Sequence, residues 1–557
     1  MTVDFGIGVS NFAEIINLKA TYIDKTLLIK ELLEDFSSVI LFPRPRRFGK
    51  TLNMTMLQCF LDRKDIEKNK DLFINLKISQ YSKILKHQGI YPVIFFSLKE
   101  IKKDNFKEAL EGIRVLIQKL FHAHQDLYEE LAPHYQARFD RLLNLEGSNA
   151  ELAQSLQFLS EILEKKYDQK VWILIDEYDT PLQQAWMKDF YEPMKSFMQS
   201  FLGAALKDNT SLYKSVLTGI MRVSKEGLFS DLNNIKVHSM LSERYASYFG
   251  FTEKEVDWIC QEAGLSDQRE KVREWYKGYQ FGDLAIYNPW SIINVATEKI
   301  FESYWVQTGS SQILEDLIAK SSDEFKSDFE ALIQGKNIKK SISERISFPE
   351  IKNRVEDSIW AFLLFAGYLK ITHKESTNQD PICQLQIPNE EIKGIYQSYF
   401  LGWLKKSNSR QGEKMLDALV AGDVINFEKN FTSYLQETLS YFDFGKTIHP
   451  EKFYHALVLG MLVYLRASHQ VLSNRESGFG RYDVMIIPKD VSKLGIIIEF
   501  KVAESGSQKI MAQEAQSGLA QIEAKNYQAE LNARGISQIL KIAIVFFKKK
   551  LVILHER

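Results

Sequence analysis

The sequence predicts an α/β protein of several domains, and three observations predict it. Over residues 1 to about 245, apolar strands alternate with amphipathic helices, the pattern of a parallel sheet. The first of those strands runs into Gly49-Lys50-Thr51 and then into helix-forming residues. Near the C-terminus, two short apolar strands are interrupted by Asp483, Glu499 and Lys501. A chain of 557 residues has room for about two to four domains.

The first strand is Val39–Leu41, and the turn-rich Arg44-Pro-Arg-Arg-Phe-Gly-Lys-Thr51 follows it. A strand, a turn ending in Gly-Lys-Thr and a helix make the second half of a P-loop. Gly49 lets the backbone approach a phosphate, Lys50 supplies a point charge, and Thr51 offers a hydroxyl to Mg²⁺. Arg44 stands where the strict pattern asks for the first glycine. Val93–Leu98 is the next strand. Val171-Trp-Ile-Leu-Ile-Asp176-Glu177 is wholly apolar until its two carboxylates, as a strand covered by helices on both faces must be. Asp176 can hold Mg²⁺ through water, and Glu177 can orient and deprotonate an attacking water. Tyr213–Leu217 is a fourth strand, and Thr218 follows it. Thr218 can sense a γ-phosphate and Arg222 can neutralise transition-state charge as an arginine finger; the alternative is a surface arginine paired with Glu226. Arg46 and Arg47 either add positive charge beside the phosphates or face the acidic Asp176–Asp179 loop. Tyr22 and Asp24 either position an adenine edge or cap a helix beginning at Lys25. The candidate nucleotide-contacting residues are therefore Arg46, Arg47, Phe48, Gly49, Lys50, Thr51 and Leu52, with Asp176 and Thr218.

From 246 to 345 the pattern is helical and rich in aromatics, as expected of a helical lid. In Trp275, Tyr279 and Trp305 the spacing suits core packing. From 346 to 440 a helix through Trp360–Leu369 precedes an alternating strand at Gln384–Ile387, which predicts a winged-helix-like module, and the polar run 405–414 reads as a linker. The last domain is 441–557.

That last domain carries a second chemistry. Arg481-Tyr-Asp483-Val-Met-Ile-Ile487 and Gly495-Ile-Ile-Ile-Glu499-Phe-Lys501 are short strands joined by a Pro-Lys-Asp turn. Glu499 and Lys501 are two apart, so both face one side, and Asp483 reaches the same side if the strands form a hairpin. Two carboxylates and a lysine make a hydrolytic Mg²⁺ site in which Lys501 steadies the nucleophile or the developing charge. The alternative is a solvated hairpin face, but the charges interrupt apolar strands, a costly place without a partner. Glu451 and His455, on a preceding helix, can add a ligand or an acid/base group, although a core-packed histidine is the equal alternative.

Arg44-Pro-Arg-Arg-Phe-Gly-Lys-Thr51, Asp176-Glu-Tyr-Asp179 and Tyr22-Ile-Asp-Lys25 resemble the signatures of the AAA-ATPase-like proteins of bacteria and archaea. Further similar stretches are Leu217–Arg222, Trp275–Gly282, Tyr287-Asn-Pro-Trp290 and Tyr304-Trp305. That family's loop itself carries Arg-Pro-Arg-Arg, so Arg44 is no departure from it. The resemblance runs from about residue 5 to the C-terminus. It implies a P-loop NTPase domain followed by a restriction-endonuclease-like α/β domain of the PD-(D/E)XK kind. In that second domain Asp483, Glu499 and Lys501 match the Asp…Glu-x-Lys arrangement, and Gln521 with Tyr527 resembles the glutamine–tyrosine helix of one branch of those nucleases. Implied ligands are ATP, Mg²⁺ at Thr51 and Asp176 and at Asp483 and Glu499, and nucleic acid, DNA before RNA. AAA-type ATPases often assemble into homo-oligomeric rings, and nothing in the residues fixes the oligomeric state.

Composition narrows the class. The chain is 45% hydrophobic and 26% charged, as ordinary globular proteins are. Its N-terminus lacks a basic start and an apolar core, and its longest apolar stretch, near Tyr454–Leu465, is too short for a bilayer, so a cytoplasmic protein without membrane contact is expected. Cys59, Cys260 and Cys383 have neither disulfide nor metal spacing and read as buried thiols in a reducing compartment. Net charge is −1, but Glu451–Arg557 holds fifteen Lys/Arg against ten Asp/Glu, a modestly basic end suited to nucleic acid. The expected protein is an ATPase with a fused metal-dependent nuclease whose lid responds to nucleotide. Two rivals stand: a nucleotide-switch protein whose C-terminal domain binds a partner without cleavage, and a mechanochemical ATPase acting on proteins.

Overall fold

The fold is described from a computed structural model, over residues 4–207, 209–222, 234–305, 323–333, 335–344, 356–375, 380–396, 414–438, 468–473, 476–477, 480–548 and 550–557, with residues 348, 351, 458, 462 and 465. Glu226, Glu451, His455 and residues 405–413 lie outside them. The chain divides into two compact units, Met1–Thr308 with Asn337–Ile392, and Gly309–Lys336 with Lys393–Arg557. It is an α/β protein with a P-loop-type parallel sheet in the first unit and a mixed sheet in the second.

In the first unit, β1 (Val39–Pro43), β2 (Val93–Ser97), β3 (Val171–Asp176), β4 (Leu212–Gly219) and β5 (Ile235–Val237) form a parallel sheet in the order β2-β3-β4-β1-β5. β1 and β3 are buried at every position, because helices cover both faces. β4 separates the P-loop strand from the Asp176 strand. Register pairs Pro43 with Gly219 and Ser97 with Asp176, so the strands end level at their carboxyl edge. That edge is where open α/β sheets bind ligands. β5 is three residues long, IKV, and only partly buried, too short to give a sequence signal.

In the lid stretch, helices Glu253–Glu262, Arg269–Tyr276 and Pro289–Glu298 surround a three-stranded antiparallel sheet of β6 (Phe251–Thr252), β7 (Lys277–Phe281) and β8 (Leu284–Tyr287). The helical reading passed over these strands. Tyr279 and Phe281 alternate with half-buried neighbours, a two-residue period too brief to register beside the helices. Farther on, the helix Glu356–Phe365 leads into a sheet of β9 (Ile338–Ser341), β10 (Lys370–Glu375) and β11 (Ile382–Gln386), the helix-then-hairpin order expected there.

The second unit contains β12 (His469–Ser473), β13 (Glu476–Ser477), β14 (Gly480–Arg481), β15 (Val484–Pro488), β16 (Gly495–Val502), β17 (Ile539–Phe547) and β18 (Lys550–Glu556). Five of them form the sheet β12-β15-β16-β17-β18. β16 and β17 run parallel, joined by the helix Gln508–Ala524, and the other neighbours are antiparallel. Gly518 seats that helix: a Cβ there would lie 2.9 Å from the Cβ of Ala543. Lys548, with φ +53°, lies in the turn between β17 and β18. All three cysteines are buried and free. No helix among the described residues is long and apolar enough to cross a membrane.

Candidate functional site

The loop after β1 places its residues in distinct directions. Gly49 takes φ +79° with open space where a Cβ would be, and caps the helix Lys50–Leu61. Lys50 Nζ donates to the carbonyls of Arg44 and Pro45, at 3.0 and 2.9 Å, and so spans the loop. Burial pulls its pKa down, while Glu177, Asp176 and Asp179 oppose that shift. Thr51 Oγ1 donates to Asp176 Oδ2 at 2.7 Å. Thr218 Oγ1 donates to Asp176 Oδ1 at 2.5 Å, and Ser97 Oγ lies 3.4 Å from Asp176 Oδ2. The sheet order explains this meeting: β4 lies between β1 and β3, so Thr218 stands beside Asp176. Glu177 follows in the left-handed region at φ +51°, with Thr180 Oγ1 donating to its carboxylate at 3.3 Å.

Other predicted residues brace the loop through their side chains. Arg44 is fully buried and turns beneath the loop. Its Nη1 donates to the carbonyls of Pro43 and His238, and its guanidinium lies 5.1 and 4.9 Å from the ring centres of Phe249 and Phe281. Burial lowers its pKa to about 9. The glycine position of the strict motif is thus occupied by a cation packed under the loop. Arg47 stacks its guanidinium on Trp290, 3.7 Å from the ring centre, and forms no ion pair with the Asp176–Asp179 loop. Phe48 is buried against Tyr279 and Phe281. Asp179 Oδ2 accepts the backbone N–H groups of Ile220 and Met221 at 2.8 and 3.1 Å, which fixes the chain leading to Arg222.

Beside Gly49 lies a cleft of about 100 Å³ whose walls include Tyr22, Leu52, Asn53, Phe251 and Ile293. Tyr22 contributes its ring, its hydroxyl being engaged with Met56 Sδ at 3.3 Å. Asp24 neither lines that cleft nor caps a helix: one oxygen accepts from the N–H and hydroxyl of Thr26, the other from Lys77 N. The helix that follows starts at Leu27, two residues beyond the expected Lys25, with Thr26 at its N-cap and no side-chain cap bond.

In the second unit, β15 and β16 pair Val484 with Ile498, and the same register sets Asp483 opposite Glu499. Directly opposed residues of an antiparallel pair share a face. Asp483 Oδ2 accepts Phe500 N at 2.8 Å. Glu499 is 3% exposed, and Lys501 Nζ lies 3.3 Å from its Oε1. Gln521, brought over the sheet by the Gly518 contact, accepts from Lys501 Nζ at 2.7 Å and donates to Glu499 Oε1 at 2.5 Å and to Tyr527 at 3.3 Å. Glu499, Lys501, Gln521 and Tyr527 therefore form one hydrogen-bonded cluster, and Asp483 stands opposite Glu499 with its carboxylate on Phe500 N.

Both carboxylate sites suit a hard cation. Among the described residues no three His, Cys, Asp or Glu side chains form a metal-binding group. Mg²⁺ keeps several waters and takes one or two carboxylates, so a threonine hydroxyl with one buried carboxylate, or two facing carboxylates, is a fitting donor set. Three residues have a role here that the sequence reading did not assign: Asn288, Trp305, which was read as core packing, and Glu391. Asn288 and Trp305 each donate to the Arg46 carbonyl, at 3.3 Å. The Asn288-Pro289 helix start was a usable cue for a cap; nothing near Glu391 signals its role.

Strand order, loop and second cluster together define a P-loop ATPase-like domain joined to a PD-(D/E)XK-like domain. Residues 6–229 match the family described as predicted AAA-ATPase, and residues 449–556 match the PD-(D/E)XK nuclease superfamily. An uncharacterized protein in the vnfD 5′ region of Azotobacter chroococcum mcd 1 is similar along the whole length, 25% identical over 542 residues, covering 95% of this chain and 94% of that one.

Proposed function

We propose that this chain binds and hydrolyses ATP with Mg²⁺ at the N-terminal loop and cleaves nucleic acid, DNA as the favoured substrate, at the C-terminal cluster. We assign residues 1–245 to the ATPase, 246–345 to a lid, 346–440 to a winged-helix-like and linker region and 441–557 to the nuclease. The observation that carries the first activity is the 2.7 Å contact between Thr51 and Asp176 across the sheet edge. In this reading Lys50 exchanges loop carbonyls for β/γ-phosphate oxygens, and the N–H groups of Arg47, Phe48 and Gly49 cradle the phosphates. The apolar cleft beside Gly49 takes the base, and Glu177 draws the proton from an attacking water. Thr218 senses the γ-phosphate through Asp176, and Arg222 supplies charge to the transition state.

The second activity rests on the Asp483, Glu499, Lys501 and Gln521 cluster. Mg²⁺ bound there would acidify a water and withdraw charge from the phosphate. Asp483 and Glu499 would hold it, Lys501 would orient the nucleophile, and Gln521 fixes Lys501 against Glu499. Three buried free thiols support a reducing, cytoplasmic location. The test is a calorimetric titration of Mg²⁺·ATP into the parent and Lys50→Ala, beside a plasmid-cleavage assay with Mg²⁺ or with chelator. Binding lost in Lys50→Ala and cleavage lost with chelator support the reading. Cleavage absent under every metal condition favours the nucleotide-switch protein, and turnover stimulated by protein alone favours the mechanochemical ATPase.

A further inference from the structure

The loop is held in a conformation that it would not keep alone. Arg47 sits at φ +66° and Gly49 at φ +79°. A non-glycine residue in the left-handed region costs about 1–2 kcal/mol. The compensation comes from the segment 288–305. Asn288 Nδ2 and Trp305 Nε1 both donate to the Arg46 carbonyl at 3.3 Å, and the Trp290 ring lies under the Arg47 guanidinium. Across a trans peptide the C=O and the next N–H point in opposite directions. Anchoring the Arg46 carbonyl on Asn288 and Trp305 therefore aims the Arg47 N–H away from them. The backbone N–H groups of Arg47, Phe48 and Gly49 donate to no other described residue. Successive free donors around left-handed residues form an anion-binding concavity.

Behind these anchors is Glu391, whose exposure is 0%. Its Oε1 accepts Trp305 N at 2.8 Å and Ser291 Oγ at 3.0 Å, and its Oε2 accepts the same hydroxyl at 2.9 Å. Ser291 belongs to the helix turn whose N-cap is Asn288, which accepts the N–H groups of Trp290 and Ser291. One carboxylate thus ties together the two residues that hold Arg46. No lysine or arginine among the described residues pairs with it, and burial raises its pKa to about 7. A buried carboxyl at such cost marks a position where its acceptor geometry is needed.

We infer that Glu391 is a positioning residue for nucleotide binding, acting through Trp305 and Ser291 to hold Arg46 and Arg47 so that the loop N–H groups meet a phosphate; the inference rests on the P-loop reading above. Three substitutions test it by calorimetric ATP affinity and thermal melting. Trp305→Phe keeps an aromatic ring against Tyr368 but removes one donor to Arg46 and leaves a small cavity, so it weakens ATP binding by about fivefold with only a modest fall in melting temperature. Glu391→Leu removes the acceptor for Trp305 and Ser291, and it weakens binding by about tenfold or more. Glu391→Gln restores affinity to within about threefold of the parent, because Oε1 alone accepts both bonds. Should Glu391→Leu fail to fold, Trp305→Phe and Glu391→Gln carry the test. Parent-like affinity in Trp305→Phe, or Glu391→Gln as weak as Glu391→Leu, overturns the inference. A parent that binds no ATP overturns the P-loop reading itself, and the inference with it.

Discussion

Thr51→Val isolates the contact between the two halves of the proposed nucleotide site. Valine keeps the shape of threonine and removes only the hydroxyl that donates to Asp176 Oδ2 at 2.7 Å. A hydrogen bond to a charged group contributes about 1.5–3 kcal/mol. Asp176 keeps its bond from Thr218 at 2.5 Å, so the buried carboxylate is not stripped of donors. The expected loss of folding stability is therefore at the low end, about 1.5 kcal/mol. The effect on binding is separable. Without metal, ATP affinity stays within about threefold of the parent, because Lys50 and the loop N–H groups are untouched. With Mg²⁺, the parent gains affinity through Thr51 and Asp176, and the variant loses most of that gain, about tenfold or more. Calorimetric titrations in Mg²⁺ and in chelator, with urea denaturation of each protein, give both numbers. A variant that keeps the full Mg²⁺-dependent gain refutes Thr51 as a metal-facing hydroxyl.

The other predictions follow the same geometry. Glu177→Gln binds ATP like the parent but releases almost no phosphate, since the amide orients a water yet takes no proton; equal loss of binding and turnover makes Glu177 structural. Glu391 makes stability fall as pH rises. The folded carboxyl titrates near 7 and the ordinary value is 4.5, so between those values the folded state holds the extra proton. The loss amounts to about 3 kcal/mol at most by pH 7 and is constant above it. Other shifted groups, Asp62 among them, titrate in the same range, so urea denaturation at pH 5 and pH 8 shows a smaller fall in Glu391→Gln than in the parent, and equal falls contradict it. Gly518→Val drives a side chain into Ala543, so it destabilises by about 1–3 kcal/mol and cuts cleavage by lifting Gln521 from Lys501. An unchanged urea midpoint argues against that packing.

Much of this was legible where chemistry and periodicity coincide. Val171–Asp176 reads as a buried strand because every residue is apolar up to the carboxylate, and the structure confirms each position as buried. Glu499 and Lys501 share a face because strand side chains alternate. Thr51 and Asp176 were expected at one Mg²⁺, but the bond from Thr218 to the same carboxylate was not legible, since it depends on β4 entering between β1 and β3. The same limit hid Glu391: it acts on Trp305 and Ser291 across 86 and 100 residues of sequence, with no local pattern to mark it. Arg44 was legible as a departure from the glycine pattern, but not as a buried cation under the loop, because its partners Phe249, Phe281 and His238 come from distant segments.

The central claim is that one chain carries two independent metal-assisted sites, and Glu499→Ala tests it most directly. Phosphate release and nucleic-acid cleavage are measured side by side on the parent, Lys50→Ala and Glu499→Ala. Removing Glu499 deletes a carboxylate from the Asp483–Lys501–Gln521 cluster and leaves the loop at Gly49–Thr51 intact. The account predicts that Glu499→Ala loses Mg²⁺-dependent cleavage while its phosphate release stays within about threefold of the parent. Lys50→Ala loses phosphate release. Cleavage by Glu499→Ala at the parent rate would contradict the account, because the phosphodiester chemistry would then lie outside this cluster.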